Sequence, residues 1–326
     1  MKKLFIRLLI LLFPLLIVGG YFVIEDPMKI IHNTKNPVTP GVLMNDRLYQ
    51  ARFLIQTKTK YNSFIFGSSR SKAFKTPNWK KYLDEEAIPY HMGVNDESIY
   101  GIFKKIAFLD QKGFKIKNVL IQMDPRLLSM TKNSEAHVFR DYYLLSGESA
   151  SSYYQRFFTA FLNANFLRNY ATYKSKGIII NQQENIFLWN PGFECNTKTG
   201  DIYYSKNDRE LKTDSLKYYK VRNLEAYDRT PKVNVIQIKD DCKNQIKLIH
   251  QILMKHHTKV KIVLSPNFDR NKVNPKDVKY LKSLFGVKNV HDFSGKNIIT
   301  ENVGNYYEDK HFKPYLANSL LEQLYK

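Results

Sequence analysis

The chain has 326 residues, 43% hydrophobic and 25% charged, and its 51 Lys and Arg against 30 Asp and Glu leave a net charge of +21. That length and apolar content exclude a disordered chain, a collagen-like chain and a multi-span membrane protein, and a mean hydropathy of -0.42 describes a water-soluble body. Two cysteines, Cys195 and Cys242, exclude a disulfide-dense scaffold and a Cys-rich zinc domain. The basic residues are mostly Lys, spread along the chain with no recognition motif, so no nucleic-acid partner is expected. Codon bias explains such a composition, as does attraction to an anionic polymer or surface.

In chain order, the first element is apolar. Leu8 to Ile24 carries no charge, Lys2, Lys3 and Arg7 precede it, and Glu25 and Asp26 follow. The pattern predicts a membrane anchor over residues 4–24 within a first segment 1–25. Val18-Gly19-Gly20 is a poor cleavage site, so the expectation is a retained single-pass helix in the inner (cytoplasmic) membrane, with the bulk of the chain extracytoplasmic. A Cys195–Cys242 disulfide is permitted there, and two free thiols fit equally. Residues 26–60, with Pro27, Pro37 and Pro40, read as a linker leading into a helix near Asp46 to Thr57.

From residue 61 to 326, short apolar runs alternate with amphipathic segments. Strands are expected at Ser63 to Gly67, Ile88 to Met92, Val119 to Met123, Val260 to Leu264 and Val287 to Phe293. Helices are expected at Asp96 to Gln111, Lys239 to His256, Val278 to Phe285 and Pro314 to Tyr325. The alternation predicts an α/β fold, a parallel sheet with helices on both faces. Residues 130–235 break it and read as an insertion containing Trp189, helical at Tyr153 to Tyr173 and irregular afterwards.

Two segments carry chemistry. Phe64-Ile65-Phe66-Gly67-Ser68-Ser69-Arg70-Ser71 is an apolar strand ending in Gly, then two Ser, then a helix start. A Ser there lies at the carboxyl edge of a parallel sheet, beside helix N–H groups able to hold an oxyanion; it also suits a plain helix cap. Asn305-Tyr306-Tyr307-Glu308-Asp309-Lys310-His311-Phe312 precedes the closing helix. An acid two or three residues ahead of His311 can bond its Nδ1 and leave the other nitrogen as general base toward a Ser. In a doubly wound fold these two segments meet at one sheet edge.

With these residues the chain resembles the SGNH (GDSL-like) hydrolase superfamily, in the envelope-anchored branch that includes the D-alanyl transfer protein of teichoic acid modification and acetylation proteins of exported polysaccharides. The first block of that pattern, Gly-X-Ser, is matched by Gly67-Ser68-Ser69 and implies Ser69 as nucleophile. The second, a Gly after the second strand, is matched by His91-Met92-Gly93-Val94-Asn95 and implies an oxyanion hole from the Gly93 and Ser69 amides. The last, Asp-X-X-His, is matched approximately by Glu308-Asp309-Lys310-His311: Glu308 stands where the Asp should be and Asp309 is one residue late, so either can orient His311. The third block, Gly-X-Asn-Asp, is replaced by Met123-Asp124-Pro125-Arg126, which leaves Asn95 or Asn267 as a further oxyanion donor. The resemblance covers about residues 61–125 and 240–326.

The resemblance implies a three-layer sandwich and cofactor-free, metal-free acyl transfer to water or to a hydroxyl of an envelope glycan or anionic polymer. A membrane-bound O-acyltransferase would be its partner. Arg70, Asp124 and Arg126 border the same edge as candidate substrate contacts, although a strand-terminating turn explains Asp124-Pro125-Arg126 too. Tyr142, Tyr143, Tyr153, Tyr154, Tyr203 and Tyr204 in the insertion can stack on sugar rings or simply fill a core. His250, His256 and His257 read as a solvated helix face. The alternative from another class is a non-catalytic envelope polymer-binding or assembly factor on the same fold.

Overall fold

The computed structural model describes residues 2–32, 42, 44–178 and 193–326. Five short strands form one parallel sheet: β1 (Ser63–Phe66), β2 (Pro89–His91), β3 (Asn118–Met123), β6 (Lys259–Leu264) and β7 (Val290–Asp292), in the order β2-β1-β3-β6-β7. A separate antiparallel pair, β4 (Glu194–Cys195) and β5 (Ile202–Tyr203), lies between β3 and β6 in the chain. β1 and β3 are buried at every position, which is why they read as unbroken apolar runs rather than alternating ones.

Register aligns the strand ends. Phe66 pairs with Ile121, and Met123 with Leu264. The chain moves from β1 outward to β2, then back across β1 to β3 and onward to β6 and β7. Right-handed crossovers then put the β1–β2 connection on one face and the later ones on the other. On the first face Ile65, Leu120 and Val263 pack with Phe74, Trp79, Leu316, Leu320, Leu321 and Leu324, the last four from the closing helix Pro314–Tyr325. Each such side chain contributes roughly 1.5–3 kcal/mol by leaving water. On the other face, helices Ile99–Gln111 and Asp240–Lys255 pack on one another. The reversal of direction falls at the carboxyl ends of β1 and β3, the place where open α/β sheets bind ligands.

The chain divides into two compact units, Met1–Tyr49 with Ala136–Pro191, and Gln50–Glu135 with Gly192–Lys326. The expected linker therefore belongs in part to a packed unit, and the expected insertion is split: its second half goes with the sheet. In the first unit, helix Ala150–Phe161 ends and a new helix, Ala164–Lys176, starts at Asn163, whose side chain caps the amides of Asn165 and Phe166. The stretch read as irregular carries β4, β5 and the helices Ser205–Thr213 and Ser215–Arg222. Trp189, Pro37 and Pro40 lie outside the described residues.

The N-terminal expectation is corrected. The apolar segment is helical over Lys2–Glu25, but among the described residues no helix is long and apolar enough to cross a membrane. The expected single-pass inner-membrane location is overturned with it. Near its end Phe22 serves a helix–helix contact, buried against Phe158 and Phe161 with ring centroids 5.4 and 5.0 Å away, while Val23 and Ile24 are exposed. Buried Asp26 then turns the chain, accepting the amides of Ile30, Ile31 and His32. Both cysteines are free thiols.

Candidate active site

β1 is followed by Gly67, whose φ of +147° favours glycine, and a Cβ there would stand 2.7 Å from the Gln122 carbonyl oxygen. The turn carries Ser68 at the cap and Ser69 as the first residue of a single 3-10 turn, Ser69–Ala73. One buried carboxylate from the end of β3 holds this turn on both sides of Ser69. Asp124 Oδ2 accepts from Ser68 Oγ at 2.7 Å and from Arg70 at 3.1 Å, while Oδ1 caps the Leu127 amide at 3.0 Å. Burial works against ionisation of Asp124, but the Arg70 charge, the Ser68 hydroxyl and the Leu127 amide outweigh it and hold its pKa below the ordinary value. Asp124→Asn is expected to cost about 2 kcal/mol, the range for a hydrogen bond to a charged group, and to slow reaction at Ser69. Urea unfolding and the rate of Ser69 labelling check the two effects; unchanged values for both would show that the turn does not depend on the carboxylate.

His311 arrives from a tight loop closed by the Tyr306–Phe312 bridge and by the Tyr307 amide donating to the His311 carbonyl at 2.9 Å. Its Nε2 lies 2.7 Å from Ser69 Oγ, and its Nδ1 bonds Glu308 Oε1. The second Glu308 oxygen accepts the Lys310 amide at 2.8 Å. Burial raises the Glu308 carboxyl, but the hydrogen bond and charge of His311, with the Lys310 amide, hold it below its ordinary value overall. Asp309 is pushed the other way, by burial and by the neighbouring Glu308 charge. Of the two acids left open by the sequence, Glu308 is the one that orients the imidazole.

Gly93 lies against the Ser68–Ala73 turn: a Cβ there would fall 1.9 Å from Ser71 Oγ and 2.9 Å from His91 Cε1. The ladder between β2 and β1 runs past the strand ends, with the Met92 amide on Ile65 O at 2.7 Å and the Val94 amide on Gly67 O at 3.1 Å. Among the described residues, neither the Ser69 nor the Gly93 amide donates to a protein acceptor. Asn95 Oδ1 accepts from buried Lys72 Nζ at 2.8 Å; Lys has no acceptor, so this bond fixes which end of the amide is oxygen. Asn267 is buried, and its Oδ1 has no partner.

Below the turn, buried His91 donates Nε2–H to Ser71 O at 3.1 Å. Burial, with the nearby Lys75 and Lys72 charges, pushes its pKa down to about 3. The unfolded group protonates near pH 6.5 and the folded one only near 3, so the unfolded state binds more protons in between. Stability is therefore expected to fall with pH below about 6.5, by about 1.4 kcal/mol per pH unit from this group. Urea unfolding at about pH 7 and about pH 5, on either side of the free imidazole's pKa, should show the loss, and His91→Gln should flatten it; identical slopes for both proteins would refute the assignment.

The other expected residues divide. Arg70 borders the site, tied to Asp124. Asp124 is corrected from a substrate contact to a support, because at 2% exposure it meets the turn and not solvent. Arg126 is an exposed arm paired with Asp96 at 2.8 Å, where the strand-ending turn reading fits. Tyr142, Tyr143, Tyr153 and Tyr154 pack on one another in the first unit, with Tyr153 also on Phe157. Tyr204 instead sits beside the site, its ring 5.8 Å from that of His311. Buried Lys72 and Lys105 were missed. The signal for Lys105 is its place on the apolar face of its helix, beside Ile102, Ile106 and Leu109. No family model and no curated protein matches the chain.

Proposed function

We propose that this protein is a serine esterase or O-acyl transferase of the SGNH (GDSL-like) type. The observation that carries the reading is the Ser69–His311–Glu308 chain of hydrogen bonds, assembled from residues 242 apart in sequence at the carboxyl edge of the sheet. Ser69 Oγ attacks the ester carbonyl carbon, and its proton passes to His311 Nε2. The carbonyl oxygen becomes the oxyanion, held by the Ser69 and Gly93 amides, a term worth roughly 3–4 kcal/mol per donor. Collapse expels the alcohol oxygen, which takes the proton from His311 and leaves an acyl-Ser69. Water or a second hydroxyl then repeats the sequence in reverse: His311 takes its proton, its oxygen bonds the acyl carbon, and Ser69 Oγ leaves with that proton.

Glu308 stays ionised throughout, steadying the imidazolium. The half-buried Tyr204 beside His311 offers a face to a sugar ring, and the net charge of +21 suits an anionic glycan as the acyl-bearing or acyl-accepting partner. The test is labelling with a fluorophosphonate probe and mapping of the adduct by peptide mass. An adduct on Ser69 that requires His311 is expected. A folded protein that takes up no probe would overturn the reading and favour a binding factor on the same fold.

A further inference from the structure

Two buried lysines stand behind two of the candidate oxyanion donors, the Gly93 amide and the Asn95 side chain. Lys105 Nζ donates to the Met92 carbonyl oxygen at 2.9 Å, and that carbonyl shares its peptide plane with the Gly93 N–H. Lys72 Nζ donates to Asn95 Oδ1 at 2.8 Å, the oxygen of the same side-chain amide whose nitrogen is a further candidate donor. Lys105 and Lys72 are 1% and 2% exposed, so both of these hydrogen bonds are made away from solvent. Lys105 is also bonded to Glu97, itself buried just ahead of the helix cap Ser98.

We propose that Lys105 and Lys72 are positioning residues of the oxyanion hole. Each fixes one amide by its oxygen and draws electron density toward that oxygen, which makes the opposite N–H a stronger donor. The trans peptide places the Gly93 N–H on the side away from Lys105, so the same contact sets its direction. A polarised and pre-aimed donor matters most when negative charge develops in front of it, in the tetrahedral state and not in the bound ester. The lysines thus act on the chemical step and leave ground-state binding alone. This inference rests on the serine-acyl reading of Ser69.

The test compares full-length wild type, a double variant carrying Lys105→Met and Glu97→Gln, Glu97→Gln alone and Lys72→Met, by fluorophosphonate inactivation of Ser69. The maximal rate is read separately from the half-saturating probe concentration, and melting temperature is measured beside both. The double variant removes the charge pair together, and the Glu97→Gln side chain keeps the oxygen that accepts the Ser98 amide. The maximal rate of the double variant is expected to fall about tenfold at unchanged half-saturation, a fraction of the roughly 100- to 1,000-fold cost of deleting a donor. Glu97→Gln alone, which keeps Lys105 on Met92, should lose melting temperature but not rate.

A double variant that reacts at the wild-type rate, or a Glu97→Gln protein that slows as much, would overturn the proposal. If the double variant does not fold, Lys72→Met decides by the same split of rate from half-saturation. Wild type that fails to label at Ser69 defeats the esterase reading instead, so the two failures are distinguishable.

Discussion

Ser69→Ala is expected to lower ester turnover by roughly 10⁴- to 10⁶-fold, His311→Ala by about as much, and the double variant by no more than either. The non-additivity follows from the geometry. Ser69 Oγ and His311 Nε2 are 2.7 Å apart, so removing either atom ends the same proton transfer. The Ser69 hydroxyl bonds His311, whereas the turn around it is held by Ser68 and Arg70 on Asp124. The Ser69→Ala protein should therefore unfold within about 0.5 kcal/mol of wild type, as for a substitution away from buried networks. Turnover of p-nitrophenyl acetate, with urea unfolding as the control, measures both. Near-normal turnover by a folded Ser69→Ala protein would remove Ser69 from the mechanism.

Glu308→Gln is expected to cost roughly 10⁴-fold in turnover, the scale of an acid-to-amide change in a Ser-His-acid site, while Asp309→Asn stays within about threefold. Both Glu308 oxygens are in use, Oε1 on His311 Nδ1 and Oε2 on the Lys310 amide. A glutamine has one oxygen to offer. If it serves Lys310, its NH₂ faces His311 and forces a proton onto Nε2, the tautomer that cannot accept from Ser69. If it serves His311, the Lys310 amide loses its acceptor and the loop loosens. Asp309 carries neither bond, and its raised pKa comes from burial and the Glu308 charge, so removing its charge relieves a repulsion. Steady-state turnover of the two variants decides; equal losses would mean that the acids share the role.

The contrast between these two acids shows how far the amino-acid sequence reaches. Glu308 and Asp309 are adjacent, and only the fold of the Tyr306–Phe312 loop turns one toward His311. Asp124 follows the same logic. Its place after a strand puts it at the site edge, but it is buried and bonded to Ser68, Arg70 and the Leu127 amide, which makes it a support for the Ser68–Arg70 turn. Lys105 reads as a flaw in an apolar helix face until the Met92 carbonyl and Glu97 are brought to it by the packing of that helix.

Local patterns by themselves determined the α/β class, the five sheet strands and the main helices, since apolar runs and helical periodicity are properties of neighbouring residues. They also marked the strand-end Gly67-Ser68-Ser69 turn and His311, and the family resemblance chose Ser69 over Ser68. The tertiary structure alone decided what depends on distant partners: which acid serves His311, which of the tyrosines lies beside it, and the grouping of the first residues with Ala136–Pro191. The N-terminal helix is the clearest case. Composition does not say which apolar side chain of a helix finds a partner, and the packing of Phe22 on Phe158 and Phe161 lies beyond any local window.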